Sequence, residues 1–315
     1  MNTNKRKTDA RTQVNPEGFK PQQSAGVKTD IHQQITDQIL AAMETARTTG
    51  RRLWDSQPSL PLNLTTGKPY QGINTLILWA AGLQNAYTSP CWLTYKQAAD
   101  KGGQVRKGEH GTHCVFYKPW EAESTNHETG ETEIVKGAVL KGFTVFNLDQ
   151  VDGIEAPVRE VRAPFQAIED AERILAASPA PIKTGGTQAC YIPSRDEIHL
   201  PAREAFISAE AFYSVALHEL THSTGHASRL ARDFSGRFGD AAYAFEELIA
   251  EMGSAFLAAD LGIIGSTLAD HADYLSHWVA ILKSDKKAIL TAAAQASKAH
   301  AFIKGLLADQ GQEAA

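Results

Sequence analysis

An H-E-x-x-H motif, which begins at His218 and ends at His222, constrains this chain more than any other feature of its sequence. On a helix, residues four apart lie on the same face, so the two histidines can offer two imidazoles to one metal ion. Glu219 stands beside them, where a carboxylate can take a proton from a water that the metal activates. Ser208 is a suitable N-cap before the motif and Gly225 is a suitable stop after it. The sequence therefore predicts a metal-binding helix between Ser208 and Gly225.

A catalytic zinc site of this kind uses three protein ligands and leaves one position open. The metzincin pattern takes its third histidine from a position that Ser228 occupies in this chain. His226 comes too early to replace it, so the sequence excludes that class. The third ligand is therefore expected on a different segment.

Residues 243–256 supply acids at helical spacing. Their apolar side chains fall on one face, whereas Glu247 and Glu251 lie four apart on another face among small residues. Such a pair suits one metal ligand and one acceptor for the outer N–H of a ligand imidazole. We predict Glu247 as the ligand and Glu251 as the acceptor. Glu246 is the alternative ligand, Glu251 could exchange roles with Glu247, and a solvated acidic face is the remaining alternative.

This ligand set also indicates which metal is bound. Two imidazoles and a carboxylate with an open position are typical of catalytic Zn²⁺, and another divalent ion such as Mn²⁺ is compatible with them. Structural zinc sites normally fill all four positions with protein ligands and need no general base. Glu219 beside His218 therefore favours a catalytic site, and a structural or vestigial metal is the alternative.

Charge is distributed unevenly along the chain. Residues 1–120 contain 15 Lys and Arg against 8 Asp and Glu, a formal charge of +7, and the remainder contains 16 against 28, a charge of −12. Such an asymmetry predicts that the first part of the chain meets an anion.

Within this basic part, aromatic side chains alternate with cations and amides in the segments 61–74, 92–97 and 101–109. Surfaces of this kind bind single-stranded nucleic acid, because bases stack on the rings and cations follow the phosphates. The alternative places the rings in the core and leaves the charges solvated. The residues predicted to contact DNA are Lys68, Tyr70, Asn74, Trp92, Tyr95, Lys96, Gln97, Lys101, Gln104, Arg106 and Lys107.

The order of these patterns predicts an α+β chain in three segments. Residues 1–28 are polar and are expected to form a disordered arm. Residues 29–155 are expected to form an α+β domain, and residues 156–315 a mainly helical, zincin-like domain with a short β-hairpin. The predicted helices cover 31–46, 75–84, 164–177, 208–225, 243–256, 270–282 and 285–307, and the predicted strands cover 114–117, 143–146, 188–192 and 197–200.

Cysteine use and hydropathy indicate the compartment. Cys91, Cys114 and Cys190 are widely spaced, which argues against a disulfide framework and for a reducing environment. The polar N-terminus has no apolar signal-peptide core, and no apolar run approaches the ~18–20 residues that a membrane span needs. We therefore expect a cytoplasmic protein without a membrane span.

Several of these motifs, in the same order, resemble the ArdC-type antirestriction proteins of conjugative plasmids. The resemblance covers roughly residues 30–308 and lies in the segments 61–74, 92–97, 103–109, 191–201, 218–226, 229–230, 238–239, 243–251 and 285–289. It implies an N-terminal domain that binds single-stranded DNA, a C-terminal zincin-type metallopeptidase domain and protection of incoming DNA from restriction.

Three functions compete at this point. The first is a metallopeptidase that single-stranded DNA directs to a protein substrate, such as a component of a restriction system. The second is a DNA-shielding protein whose metal site is structural or vestigial. The third is an accessory protein of replication or conjugation.

Overall fold

A computed structural model of the chain describes residues 30–49, 59–125, 132–156, 164–234, 240–263 and 272–313. The predicted arm, residues 1–28, lies outside the described residues. The helices are α1 Ile31–Thr49, α2 Ile73–Asn85, α3 Tyr95–Asp100, α4 Pro164–Ala176, α5 Ala209–Ser223, α6 Ala241–Leu261, α7 Ala272–Ser284 and α8 Ala288–Glu313. The strands are β1 Leu62–Asn63, β2 Cys91–Leu93, β3 Gln104–Val105, β4 Thr112–Thr125, β5 Thr132–Asn147, β6 Val151–Asp152, β7 Ile182–Gly186, β8 Cys190–Ile192 and β9 Glu197–Pro201. The predicted α+β class is confirmed.

The first part of the chain is built around a long antiparallel hairpin of β4 and β5. Its register runs from the pair Thr112–Val145 to the pair Thr125–Thr132. β2 pairs with the end of β5, and the four-stranded sheet has the order β1-β2-β5-β4. The predicted strands 114–117 and 143–146 lie inside this hairpin, which extends well beyond them.

The second part contains a small sheet and most of the helices. The sheet has the order β7-β9-β8, in which β8 and β9 form the predicted hairpin and β7 runs parallel to β9. β7 was not predicted, because its sequence ends in two glycines and its side chains are mostly exposed. The helix that carries the H-E-x-x-H motif begins after its predicted N-cap, since the Ser208 hydroxyl accepts a hydrogen bond from the backbone N–H of Ala211 at 3.2 Å.

The largest hydrophobic core crosses the predicted domain boundary near residue 155. It joins apolar residues of α1 and α2 to apolar residues of α6, α7 and α8. The rings of Trp79 on α2 and Phe256 on α6 lie 5.7 Å apart, and the backbone N–H of Gly72 donates to the Ser297 hydroxyl at 2.7 Å. Residues 31–315 therefore cluster as one compact unit, in which the two predicted domains share a core.

A second core lies beneath the motif-bearing helix. α5 packs its Phe212, Leu217 and Leu220 against residues of α4, β8, β9 and the end of α6. A third, smaller core lies between α3, β2, β3 and β6. In the part of the chain that the structure describes, none of the helices is both long and apolar enough to cross a membrane.

Candidate metal centre and nucleic-acid surface

The two motif histidines lie side by side on the buried face of α5. His218 and His222 are 4% and 8% exposed, and their Nε2 atoms are 3.1 Å apart. Both rings therefore turn the same nitrogen toward one point. That point lies between α5 and α6, the two helices that pack along the length of the motif.

Glu247 of α6 brings a carboxylate to the same point. Its Oε2 lies 3.4 Å from Nε2 of His218, and its Oε1 lies 3.5 Å from Nε2 of His222. Ligand atoms held about 2.0–2.1 Å from a tetrahedral zinc ion are about 3.3 Å from one another. We call His218, His222 and Glu247 the ligand cluster. Their contacts are close to that spacing, with each histidine facing a different oxygen of Glu247. One ligand atom from each of the three residues lies within 4.8 Å of the others.

A glycine lets the two helices approach closely enough for this geometry. Gly253 of α6 faces Thr221 of α5, and a Cβ at Gly253 would lie 2.5 Å from Cγ2 of Thr221. Any larger residue would push α6 away from α5. Because Glu247 is fixed on α6, the close contact at Gly253 sets how far its carboxylate reaches toward the histidines.

The outer nitrogen of each histidine also faces a carboxylate. Nδ1 of His218 lies 3.5 Å from Oε2 of Glu251, and Nδ1 of His222 lies 3.1 Å from Oε1 of Glu246. Glu251 therefore lies where an acceptor for an outer N–H was predicted. Glu246 does not lie with the ligand atoms, so the geometry corrects the alternative that made Glu246 a ligand. In metal sites, such outer carboxylates fix the ring tautomer and the ring orientation.

Arg232 completes the surroundings of Glu246, and sequence reasoning missed it. Its Nε lies 2.9 Å from Oε2 of Glu246, and one terminal nitrogen lies 2.7 Å from Oε1. The same guanidinium donates to the hydroxyl of Thr224 and to the backbone carbonyl of Thr221. It thus ties the loop after α5 to α6. No periodic pattern marks residue 232, and only the fold brings it to the site.

The buried histidines and carboxylates of this site shift one another's pKa values. Burial alone would lower the pKa of both histidines, but the neighbouring carboxylates raise it to about 10 for His218 and to about 9 for His222. Burial would raise the pKa of Glu247, yet the two histidines hold it well below its usual range. Histidines and carboxylates therefore form a buried network of opposite charges, and a divalent cation would take the place of the protons.

Glu219, the predicted general base, is 8% exposed on the same helix. It lies close enough to Cys190 of β8 that, after burial, its charge is the second cause of the raised pKa of that thiol. Glu219 therefore lies on the side of α5 that faces β8. β8 is an edge strand of the small sheet, with β9 on its other side.

A buried arginine fixes the β8–β9 hairpin to the end of α5. Arg229 donates to Oδ2 of Asp196 at 2.9 Å and to the backbone carbonyl of Ser223 at 2.8 Å. The hydroxyl of Tyr191 donates to the same carboxylate at 2.9 Å. The guanidinium is the main cause of the lowered pKa of Asp196. This contact explains the arrangement of the motif segments 191–201 and 229–230.

Some of the residues predicted to contact DNA are exposed, and the others have roles within the fold. Tyr95 is 54% exposed, its ring packs edge-on against Phe146 with centroids 6.3 Å apart, and its hydroxyl accepts from Nε2 of Gln104 at 3.0 Å. The four lysines predicted to contact DNA are exposed as well; they are Lys68, Lys96, Lys101 and Lys107. An open cavity of about 550 Å³ lies beside the ring and is lined by Tyr95, Gln104, Val105, Arg106, Lys107, Glu109, Phe146 and Asp152.

Trp92 is 2% exposed and belongs to the main core, where Tyr87 packs edge-on against it. The hypothesis that Trp92 stacks on a base is therefore wrong, because no face of its ring is accessible. The alternative that places this ring in the core holds instead. Its strand β2 lies between β1 and β5 in the sheet, where Trp92 pairs with Asn63 and Asn147.

Four other predicted contacts have roles within the fold. Both amide atoms of Asn74 bond to the backbone of Val115, at 2.7 and 2.9 Å, and so close the free edge of β4. Gln97 completes the capping box at the start of α3. The partly buried hydroxyl of Tyr70 accepts from Nδ2 of Asn63 at 3.2 Å. The guanidinium of Arg106 binds Glu109 at 3.0 Å and Asp152 at 3.4 Å, so carboxylates already balance its charge.

Comparison with families of known proteins divides the chain in two. Residues 29–146 match the N-terminal domain of the antirestriction factor ArdC, and residues 169–295 match a zincin-like metallopeptidase domain. The two matches fall on the two segments for which these domains were predicted. Together they bear out the resemblance stated above.

Individual relatives cover most of the chain. The uncharacterized protein y4eC of Sinorhizobium fredii is 41% identical over 276 residues, which are 86% of this chain and 90% of that protein. A DNA primase TraC of Escherichia coli is 40% identical over 306 residues, which are 92% of this chain but 28% of the primase. The chain thus matches only a part of that much longer protein.

Two solved structures have the same fold over nearly their whole length. A metal-free structure of the antirestriction protein ArdC of plasmid R388 superposes with a TM-score of 0.72 at 39% identity, and covers 89% of this chain and 98% of that one. A Mn(II)-bound structure of the R388 protein superposes with a TM-score of 0.72 at 37% identity and the same coverage.

Proposed function

This chain belongs to the ArdC family of antirestriction proteins, and from that premise we propose that it binds single-stranded DNA without marked sequence preference and protects incoming plasmid DNA from restriction during conjugation. The metal centre is a second functional element of the same chain. The DNA surface and the metal centre lie on different elements of the chain.

The observation that carries DNA binding is the exposed ring of Tyr95 among lysines. We call Tyr95, Lys96, Lys101 and Lys107 the Tyr95 cluster. The ring is held at its edge by Phe146 and at its hydroxyl by Gln104, so it is already ordered before a base stacks on it. Stacking on an aromatic ring tolerates every base, and lysines bind phosphates whatever the sequence. The cavity beside the ring offers space for the stacked base.

For the metal centre, we infer that His218, His222 and Glu247 hold one divalent cation. Their mutual spacing fits a tetrahedral ion, and the outer carboxylates Glu251 and Glu246 face the ring nitrogens that point away from it. Zn²⁺ is the expected ion and Mn²⁺ a compatible one, since the R388 relative was solved with Mn(II) bound. When bound, such an ion supplies Lewis-acid activation of water and of a carbonyl group.

A metal-dependent peptidase is the second candidate function. Within the described residues, the ligand cluster contains three protein ligands, which is the number that catalytic zinc sites use. Glu219 would take a proton from the attacking water and deliver it to the leaving amine. Its substrate would be a protein, such as a component of a restriction system. An accessory role in replication or conjugation is the third possibility, and the partial match to a primase is what favours it.

Shielding of DNA is our preferred explanation of protection, and a transfer experiment separates it from proteolysis. Unmodified plasmid DNA is transferred into a restricting and a non-restricting host that produces wild type, Tyr95→Ala or Glu219→Gln protein. We expect Glu219→Gln to protect as well as wild type and Tyr95→Ala to protect poorly. If Glu219→Gln binds DNA normally but no longer protects it, protection depends on the peptidase centre instead.

A further inference from the structure

The β4–β5 hairpin carries most of the large apolar side chains that are exposed among the residues that the structure describes. Of the eight large apolar side chains that are exposed there, five lie on this hairpin. They are Phe116, Tyr117, Trp120, Ile134 and Val139. Apolar groups concentrated on one element, rather than scattered singly, indicate a surface that meets a partner.

The strand register places two of the rings on one face of the hairpin together with two lysines. Alternate residues of a strand share a face, so Phe116, Lys118 and Trp120 of β4 point to the same side. Lys141 of β5 pairs with Phe116, and Val139 pairs with Lys118, which puts both on that side as well. We call this set the hairpin face.

The hairpin face continues outward from the main core. Phe143 on the same side packs against Phe116 with ring centroids 5.9 Å apart, and the next residues inward, Cys114 and Val145, are fully buried. The inner end of the face is thus fixed by the core. The outer end is exposed, with Phe116 46% and Trp120 41% accessible.

The charges on the hairpin face indicate which kind of partner binds there. Among its described side chains there are two exposed lysines, Lys118 and Lys141, and no carboxylate. Lysines are depleted in the contact surfaces between proteins, whereas rings combined with cations are what single-stranded nucleic acid binds. Phe116 and Trp120 are about 13 Å apart along the strand, with Lys118 midway between them, so a phosphate can lie between two stacked bases.

This surface is distinct from the Tyr95 cluster. Tyr95 packs against Phe146, and strand alternation places Phe146 on the opposite side of β5 from Phe143. We propose that the hairpin face is a second contact surface for single-stranded DNA, on the opposite side of the sheet from the Tyr95 cluster. This inference rests on the proposed function, since it extends the DNA surface of the same protein.

Trp120 reports on this contact directly. Trp79, Trp92 and Trp278 are at most 4% exposed, so among the described tryptophans Trp120 is the accessible one. A long oligothymidylate added to the full chain should quench the fluorescence of wild type, and Trp120→Phe, which keeps an aromatic ring at this position, should remove that quenching. The difference between the two proteins isolates the signal of Trp120 from that of Trp54, which lies outside the described residues.

Affinity measurements on alanine variants complete the test. Phe116→Ala and Trp120→Ala should each weaken binding of the oligothymidylate about fivefold or more, the loss expected for one stacked base. Tyr117→Ala is the matched control, because Tyr117 is 57% exposed on the other side of the same strand and should bind as wild type does. All these side chains are at least 41% exposed, so we expect each variant to stay folded, which thermal melting checks.

The outcomes are distinct. Wild type could bind the oligonucleotide while Trp120 stays unquenched and both alanine variants bind as tightly as Tyr117→Ala. That result would overturn the inference that the hairpin face contacts DNA and would leave the proposed function intact. If wild type binds no single-stranded DNA, the proposed function fails and this inference fails with it. A change from dimer to monomer in Phe116→Ala and Trp120→Ala, with unchanged DNA affinity, would overturn the inference by showing a protein–protein contact.

Discussion

Oε1 of Glu246 lies 3.1 Å from Nδ1 of His222, on the side of the imidazole opposite the nitrogen that faces Glu247. Arg232 binds the same carboxylate through two of its nitrogens. Glu246 can therefore accept the Nδ1 proton of His222 in a hydrogen bond and leave the Nε2 lone pair directed at the ligand cluster. Arg232 positions Glu246, and so connects the loop after α5 to the proposed metal centre.

Removing the Glu246 carboxylate should weaken metal binding without changing the ligands. We expect Glu246→Gln and Arg232→Gln to lower the affinity for Zn²⁺ or Mn²⁺ by roughly 10–100-fold, as measured by titration calorimetry on metal-stripped protein. Glu204→Gln is the control, because this exposed glutamate lies outside the site. Equal metal affinity in Glu246→Gln and wild type would mean that the contact with His222 has no positioning role.

The roles of Glu219 and Glu247 should separate in metal content. Glu247→Gln replaces a proposed ligand and should lose stoichiometric metal, whereas Glu219→Gln should keep the metal, the fold and the thermal stability of wild type. Any hydrolysis should disappear in Glu219→Gln, because its carboxamide cannot accept the proton from water. Metal analysis of the gently purified proteins checks the first part. Loss of metal from Glu219→Gln would make Glu219 a ligand instead of a base.

The contact between Gly253 and Thr221 should limit the approach of α6 to α5. Gly253→Ala places a methyl group 2.5 Å from Cγ2 of Thr221, so we expect a loss of about 1–3 kcal/mol in the free energy of unfolding and a weaker affinity for metal. The double variant Gly253→Ala with Thr221→Ser lacks Cγ2, so it should regain part of the lost stability and part of the lost metal affinity.

Gly305→Ala provides the control for the glycine substitution itself. Gly305 lies on α8 with open space where its Cβ would be, so the same change should be neutral or stabilise the helix by about 0.5–1 kcal/mol. Thermal or denaturant unfolding measures all of these proteins. A Gly253→Ala protein as stable as Gly305→Ala would show that α5 and α6 are not held by this contact.

Asp260 gives the fold a defined sensitivity to acid. Burial would raise its pKa, but His300 at 3.2 Å and Lys304 at 2.8 Å lower it to about 2. Because the folded pKa lies below the ordinary value near 4, this stabilisation is complete above about pH 4 and is lost as the pH falls toward 2. We expect Asp260→Asn to remove about 2 kcal/mol at neutral pH and to flatten this part of the stability profile, as measured by denaturant unfolding across pH.

Local spacing was enough to predict which residues come together at the proposed metal centre. Ser208 caps α5, the two histidines share one face of it, and the spacing of Glu247 and Glu251 placed one at the ligand cluster and one at an outer nitrogen. Arg232 and the position of Glu246 could not be predicted, because they depend on how the loop after α5 folds back onto α6. No periodic pattern in the sequence indicates where this loop runs.

Burial within the sheet was harder to predict than the helices. The sequence left Trp92 open between a base-stacking ring and a core residue. In the fold it is 2% exposed, on a strand whose partner β5 comes from more than fifty residues further along the chain, as the pair Trp92–Asn147 shows. The hydrogen bonds of Asn74 to Val115 likewise join residues 41 positions apart. Where such long-range pairing decides which side chains are exposed, residue type and sequence neighbours are not enough to predict exposure. Trp92 and Tyr95, three residues apart in the same motif, are buried and exposed respectively.

The salt dependence of the affinity for a single-stranded oligonucleotide tests whether this chain binds DNA through stacked bases and phosphate contacts. Fluorescence anisotropy would compare wild type, Tyr95→Ala, Lys107→Ala and the control Lys298→Ala, whose exposed lysine lies on α8. We expect wild-type affinity to fall steeply with salt, Tyr95→Ala to lose about 1–3 kcal/mol, Lys107→Ala to lower the salt slope by about one, and the control to match wild type. An affinity that does not change with salt, or a Tyr95→Ala protein that binds as tightly as Lys298→Ala, would contradict the account.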